Sequence, residues 1–357
     1  MFLAWNEIKK NKLRFFLITG VLMLVAYLVF FLSGLATGLA NLNREAVDKW
    51  DATAIVLTEE SDKSLPQSSL SKQEVDNIKA EDTAVLGQIN AIASNGDTKQ
   101  NVAIFGIDKE EFIMPSVSEG EQFAEENEVI ASDSLKDDGF ALGDKLKLSS
   151  TDETLTIVGF TDSSRFNAAP VLYAELSTFQ KVKFGEEGAE ANSDQVNAIV
   201  VSAESYSSIS TSNDELEVIE VESFIESLPG YTEQSLTLNF MIYFLFGISS
   251  VIVAIFLYVL TVQKISMFGV MKAQGISNGY LSVSVIAQTF ILAFIGVLIG
   301  FGLTILTGKF LPNEVPVSFD IPTMLIYGGV LILVAILGAV FSVLTIVKID
   351  PLKAIGG

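Results

Sequence analysis

Four stretches of the chain carry no charged side chain at all: Phe15–Asn43, Ser235–Gln263, Ala273–Gly308 and Ile321–Val347. A helix rises about 1.5 Å per residue and needs about 20 residues to cross a hydrocarbon core of about 30 Å, and each of the four is longer than that. Each therefore predicts a transmembrane helix. A buried helix of a large soluble enzyme can be as apolar, but four of them filled with Phe, Leu, Ile and Val do not suit one soluble core. The first is also too long for a cleaved leader, and "SGLATGLANLNREA" (33–46) offers no persuasive cleavage site.

The basic residues orient these helices. Lys9, Lys10, Lys12 and Arg14 precede the first run, Lys264 and Lys272 lie between the second and third, and Lys348 and Lys353 follow the fourth, against only Glu7 and Asp350. That asymmetry predicts cytoplasmic termini and a cytoplasmic connector. The segment between the first two runs is the opposite: residues 41–235 hold 39 Asp/Glu and 13 Lys/Arg, a balance of −26 within an overall charge of −21. It predicts a well-solvated extracytoplasmic domain and makes nucleic acid a poor partner.

The expected fold is thus membrane α-helical, with four transmembrane helices and an α+β extracytoplasmic domain inserted between the first and second. An amphipathic cytoplasmic helix is expected over 1–16, where Phe2, Trp5, Ile8, Leu13 and Phe16 recur at helical intervals. Membrane helices are placed at 17–41, 235–263, 282–308 and 321–347, the outer domain at 42–234, a cytoplasmic connector at 264–281, a short outer loop at 309–320 and a tail at 348–357. Within the outer domain, "ATAIVLT", "QNVAIFGI", "NEVIAS", "DKLKLS", "ETLTIVGF" and "QVNAIVVS" read as strands. "SKQEVDNIKA" and "VESFIESL" read as helices, and "TEESDKSLPQSSLS", "FGEEGAEANSD" and "SYSSISTSND" as exposed loops. Small sheets with helices packed on them are expected.

The chain has no Cys and no His, which removes disulfides, Cys/His zinc sites, thiol nucleophiles and Ser-His-Asp triads. "GLTILTGKF" (302–310) is the nearest approach to a phosphate-binding loop, but five residues separate its glycines and no Ser or Thr follows Lys309. Its glycines read as sites of close helix packing. Adjacent acids such as Glu59–Glu60, Glu110–Glu111, Glu125–Glu126 and Asp137–Asp138 point in different directions along the chain and read as solvated surface. No catalytic residue and no resident metal or cofactor is expected. The connector, "KISMFGVMKAQGISNGYL", holds two lysines and three glycines, and Met267, Val270, Met271, Gln274 and Ile276 give a short helix there a face suited to a groove on another protein.

Three features carry a family resemblance. The helix order, "FGVMKAQGIS" (268–277) with its K-A-x-G core, and "KIDPLKAIGG" (348–357) with its D-P-x-x-A ending resemble the permeases of the MacB/FtsX type of ABC transporter. The run "NEVIASDSLKDDGFALGDKLKLSSTDETLTIVGF" (127–160) has the cadence of their outer domain. The resemblance covers nearly the whole chain. It implies a non-enzymatic permease acting as a homodimer in the cell membrane, bound to two copies of a separate ABC ATPase that carries ATP and Mg. Met267, Met271, Lys272, Ala273 and Gly275 would lie at the ATPase contact, with Asp350 and Pro351 close by.

Within that class, "MFLAWNEIKKNKLRFFLITGVLMLVAYLVFFLSGLATGL" and the compact outer domain resemble the HrtB/DevC-like permeases, which implies export of heme or, with an adaptor protein, of glycolipid. The same architecture also serves FtsX-like regulation of a cell-wall hydrolase and peptide- or drug-sensing permeases. A heme path needs aromatic faces, a weak iron ligand and cations. Tyr27, Phe30 and Phe31, followed by Arg44 and Lys49, supply these near the first helix, and Tyr231, Glu233, Phe240, Met241 and Tyr243 at the start of the second. Interfacial enrichment of Tyr, lipid-facing Phe and a snorkelling Arg give each of them a plainer role.

Overall fold

The computed structural model describes residues 12–149, 151, 153–312 and 315–347. The residues expected to form most of the N-terminal amphipathic helix, and the tail with Asp350 and Pro351, lie outside that set. The chain divides into two compact units: residues 1–39 with 235–357, and residues 40–234.

Among the described residues, four helices are long and apolar enough to cross a membrane. They are α1 (Lys12–Asp48), α4 (Tyr231–Val262), α6 (Asn278–Gly308) and α7 (Ile321–Val347). The 37 residues of α1 extend to about 55 Å, well beyond the ~30 Å hydrocarbon core, so its last turns, from Ala40 onward, belong to the outer unit. Phe15, Ile18 and Leu22 of α1 meet Val253 and Leu257 of α4, Leu292 of α6 and Ala335 and Ala339 of α7 in one buried cluster. A second cluster gathers Ala26, Val29 and Phe30 with Ile242, Met324 and Leu331. Gly296 and Gly300 let α6 approach α1 closely: a Cβ at Gly300 would stand 2.8 Å from Ala26 Cβ and 2.9 Å from the Met23 carbonyl.

The outer unit is built on one eleven-stranded sheet. Its main strands are β1 (Ala54–Thr58), β2 (Asp82–Asn95), β3 (Thr98–Ile107), β4 (Glu128–Ser132), β5 (Lys145–Leu148), β6 (Thr154–Thr161), β7 (Ala169–Glu175), β8 (Ala198–Ser202) and β9 (Leu216–Glu220). The long strand β2 organises the rest. Its second half pairs with β3 from Gly87↔Gly106 to Asn95↔Thr98 around a two-residue Gly96–Asp97 turn, and its first half pairs with β8 from Asp82↔Ser202 to Leu86↔Ala198. From β3 the pairing runs through β7, β4, β6 and β5 back to β2, closing a six-stranded ring. Strands β8, β1 and β9 continue outward from β2 as an open sheet.

A cluster with Ala54, Val56, Val85, Ile199 and Val201 packs on one face of the open sheet, and two more lie on the faces of β3 and β7. One holds Val102, Ile104, Val129, Leu146, Leu155, Ile157, Phe160 and Leu172. The other, on the opposite face of β3 and β7, places Phe105 and Tyr173 with Trp50, Phe166 and Phe224. Short helices α2 (Leu176–Phe184) and α3 (Val221–Ser227) complete the layer.

Four local expectations change, one being the stretch 58–71, read as an exposed loop, which holds two 3-10 turns and buries Ser61, Leu65, Ser68 and Leu70. The segment 71–80, read as a helix, is a 3-10 turn over Lys72–Asn77 between two-residue strands, started by Ser71 Oγ accepting from the Gln73 amide. Residues 186–191, read as loop, form a helical turn opened by Glu186 and Glu187. Two small two-stranded sheets are present as expected, but the main strands are joined into one large sheet because β2 spans both of its parts, and its mixed polarity ("DTAVLGQINAIASN") hid it from a search for short β-branched runs.

A half-buried carboxylate seals the exposed edge of β2. Glu111 accepts from the Val85 amide at 2.7 Å and from the Asp108 amide at 3.2 Å, and desolvation pushes its pKa up from 4.5 to about 7. Its contribution to stability is fully present below pH 4.5 and is lost as pH rises through about 7. Glu111→Gln mimics the protonated state. The melting temperature of this variant relative to the native protein should therefore rise between pH 5 and pH 7.5, by the equivalent of roughly 1–2 kcal/mol after allowance for solvent screening. A pH-independent difference in thermal unfolding refutes the assignment.

Candidate functional site

The residues singled out in the sequence separate into three groups. The first lies in the outer unit, around Arg44. This side chain directs all five of its N–H donors at protein acceptors: Nε and Nη2 reach Asp48 at 2.9–3.0 Å, Nη1 and Nη2 reach Glu222 at 2.9 Å, and Nη1 reaches the Tyr231 hydroxyl at 3.1 Å. Arg44 and Tyr231 are thus brought together, but as partners in a clasp between the chain entering the domain and the chain leaving it. The cation expected to be available to a carboxylate ligand is already held by two carboxylates.

Lys49 is similarly engaged. Its Nζ donates to Thr161 Oγ1 at 3.1 Å and to the Asp162 carbonyl at 2.5 Å, and burial draws its pKa below the usual lysine value. Glu233 is exposed in the first turn of α4, where a carboxylate complements the helix dipole.

The second group lies in the membrane unit. Phe30 is buried, edge-on to Phe301 with ring centroids 5.8 Å apart, and Phe31 stacks on Tyr27 at 6.1 Å. The Tyr27 hydroxyl lies 3.3 Å from Thr307 Oγ1; because Thr307 donates its own proton to the Leu303 carbonyl, Tyr27 is the donor. These α1 residues work in packing. On α4 the situation differs: Phe240, Met241, Tyr243 and Phe244 are all exposed.

Phe240 and Phe244, one turn apart with centroids at 5.6 Å, form a ridge with an apolar groove on each side. One groove, about 520 Å³, is lined by Tyr243, Gly247, Ile248, Val251 and Ile252; the other, about 450 Å³, by Leu28, Leu32, Met241 and Leu245. Both volumes fall in the range of small-molecule sites. Phe244, common to both, was not picked out in the sequence because an aromatic in a membrane helix carries no periodic signal of its own.

The third group is the connector. Helix α5 (Ile265–Ala273) buries Phe268, which packs with Leu281 and Val285, and Met271 and Ile276 join that cluster. The expected outward face is therefore smaller: Met267, Val270, Ala273 and Gln274 are exposed, whereas Met271 and Ile276 turn inward. Gly275, at φ +88°, ends α5 in a Schellman motif, with its amide bonded to the Lys272 carbonyl at 2.9 Å and the Ile276 amide to the Met271 carbonyl at 3.1 Å. Ser277 then caps α6 by accepting from the Tyr280 amide. Lys272 Nζ donates to the Val347 carbonyl near the end of α7.

Two family descriptions together cover most of the chain: the MacB-like periplasmic core domain matches residues 15–219, and the FtsX-like permease C-terminal domain matches residues 239–351. The chain belongs to the MacB/FtsX-type permease family. This makes it a multi-pass membrane permease with a large extracytoplasmic domain. Similar full-length proteins are named hemin transport system permease protein HrtB. Two, from strains of Staphylococcus epidermidis, are 28% identical over 364 residues, and one from Staphylococcus haemolyticus is 25% identical over 360. Each comparison covers 100% of this chain and 99% of the relative. A solved extracellular domain of the noncanonic ABC-type transporter YknZ from Gram-positive bacteria is 13% identical, with a TM-score of 0.33 over 43% of this chain and 85% of that one.

The Arg44 clasp makes a specific stability prediction. A lysine presents one compact charge and cannot serve two carboxylates and a phenol at once. Arg44→Lys and Arg44→Gln should both lower stability by about 1–2 kcal/mol, the lysine recovering less than half of the loss, as read by thermal unfolding of the purified permease.

Proposed function

We propose that this protein is the permease subunit of an ABC-type exporter whose cargo is heme, drawn from the membrane and extruded by ATP hydrolysis on a separate ATPase subunit. The observation that carries the cargo is the end-to-end similarity to permeases named for hemin transport. The rest of the proposal draws on the family and the basic residues: a homodimer of permeases, two ATPase copies holding ATP and Mg, and both termini and the connector on the cytoplasmic side. An adaptor protein is a further partner that some members of this class use.

The α4 grooves support this reading chemically. A porphyrin is a flat apolar ring with two carboxylates and an iron that accepts oxygen or thioether ligands. Phe240 and Phe244 offer ring faces, while Tyr243 and Met241 offer a phenol oxygen and a thioether on either side of that ridge. Tyr231 and Glu233, at the first turn of the same helix, are the second pair of proposed ligands. Tyr27, Phe30 and Phe31 shape the α1 side through packing, and Arg44 and Lys49 order the outer unit from within their own networks.

At the connector, the exposed Met267, Val270 and Ala273 are the proposed contacts for the ATPase, and Asp350 and Pro351, outside the described residues, are proposed to join them. Met271, Lys272 and Gly275 hold the shape of that contact. ATP must favour one arrangement of the helices over the other for its binding to move cargo.

Hemin titration of the purified permease, followed by its Soret band, tests the site. Tyr243→Phe or Tyr231→Phe should shift the band and weaken binding about tenfold or more, an iron ligand being worth over 1.4 kcal/mol. If Tyr243→Phe, Tyr231→Phe, Met241→Leu and Glu233→Ala all leave the spectrum unchanged, these residues are not the ligands. Vesicles containing the permease and its ATPase should move heme only with ATP; hydrolysis without heme movement overturns the cargo.

A further inference from the structure

Gly34 and Gly38 stand one turn apart on α1, a small-xxx-small spacing that commonly lets a second helix approach. Here the notch is already occupied by the chain itself. The Ser318 amide donates to the Gly34 carbonyl at 3.0 Å. A Cβ added at Gly34 would lie 2.6 Å from the Phe319 ring and 3.1 Å from Val317 Cγ1, and one added at Gly38 would collide with the Pro316 carbonyl and stand 2.9 Å from the Ser318 amide nitrogen. The opposite edge of the Phe319 ring closes on Gly308 at the end of α6. Next to it, the Tyr27 hydroxyl donates to Thr307. Asp320, immediately after, caps α7 by accepting from the Thr323 amide.

We infer that residues 315–319 are a strap that fastens the outer end of α1 to the α6–α7 hairpin, with Phe319 as its pin between Gly34 and Gly308. Three consequences follow. The notch is not a docking surface for a second copy of the chain. The outer ends of α1, α6 and α7 move as one body, so a rearrangement at that end is a displacement of α4 relative to the other three. The glycines at 34, 38 and 308 are required for close approach, whereas Gly302, which has open space around its Cα, is not.

Because the chain has no cysteine, single cysteines report directly on the strap. In the full-length permease, Val317→Cys should react with a maleimide about tenfold or more slowly than Phe310→Cys, whose native side chain is 80% exposed. Gly38→Val should bring the two rates to within about threefold, and Gly302→Val, a glycine replacement in α6 with room for the side chain, should leave them as they were. Equal reactivity of Val317→Cys and Phe310→Cys in the otherwise native protein overturns the strap. So does a Gly38→Val variant in which Val317→Cys stays protected, or a Gly302→Val variant that releases it equally. Gly38→Ala, with its smaller side chain, provides the same comparison if the valine variant does not fold. The labelling needs neither cargo nor ATPase, so its outcome stands apart from the transport proposal.

Discussion

The hydrocarbon core of a bilayer offers no hydrogen-bonding partner, and this one constraint arranges the rest of the molecule. Every backbone amide and carbonyl inside it must be paired within the segment, so the four apolar runs are helices. Some polar side chains on those helices satisfy the same demand locally. Thr289 and Thr304 return their protons to the carbonyls one turn back, at 3.0 and 2.9 Å. Attraction between the helices then comes from close packing rather than from expulsion of water, which is why glycines 296 and 300 matter where α6 meets α1. The strongly acidic chain, and most of the irregular chain, is left to the outer unit, where water can solvate it.

A second regularity emerges among the candidate ligands. Arg44, Lys49 and Tyr27 look from the sequence like groups held ready for a cargo, yet each donates to a partner within its own unit. A donor already committed in this way gains little by turning to a ligand, since the bond it leaves must be replaced. The exposed aromatic and thioether side chains on α4 carry no such commitment to packing. The cargo proposal therefore rests on a helix face rather than on the cations that a negatively charged ligand first suggests.

The sequence made the membrane architecture legible because a charge-free run of more than twenty residues has few other uses. The outer domain was legible in pieces: six short strands stood where β-branched residues clustered, and Val221–Ser227 was helical as its pattern implied. What escaped were the strands Ala169–Glu175 and Leu216–Glu220, the helix Leu176–Phe184, and above all the strand that joins the others. Asp82–Asn95 mixes polar and apolar residues because its two halves pair with different neighbours and face different surroundings, so no single period runs through it. Among the site residues, those on α4 could be named from their chemistry. The inward turn of Met271 and Ile276 could not, since a nine-residue helix with apolar residues on several sides does not say which side faces its neighbours.

The connector shows how a family motif can combine two demands. In K-A-x-G, the glycine is explained without any partner: at φ +88° a side chain would be strained, and the two Schellman hydrogen bonds need that conformation to end α5 before Ser277 starts α6. Lys272 likewise has a local task, reaching the Val347 carbonyl. In the proposed contact with the ATPase, recognition then falls to the side chains these residues leave facing outward, Met267, Val270 and Ala273. They are apolar, and they stand on a helix whose other side is anchored by Phe268 against Leu281 and Val285. A force applied to that face would pass into α6 through packed side chains and a two-sided helix cap rather than through a flexible loop, the mechanical property that the proposed drive by a separate ATPase requires.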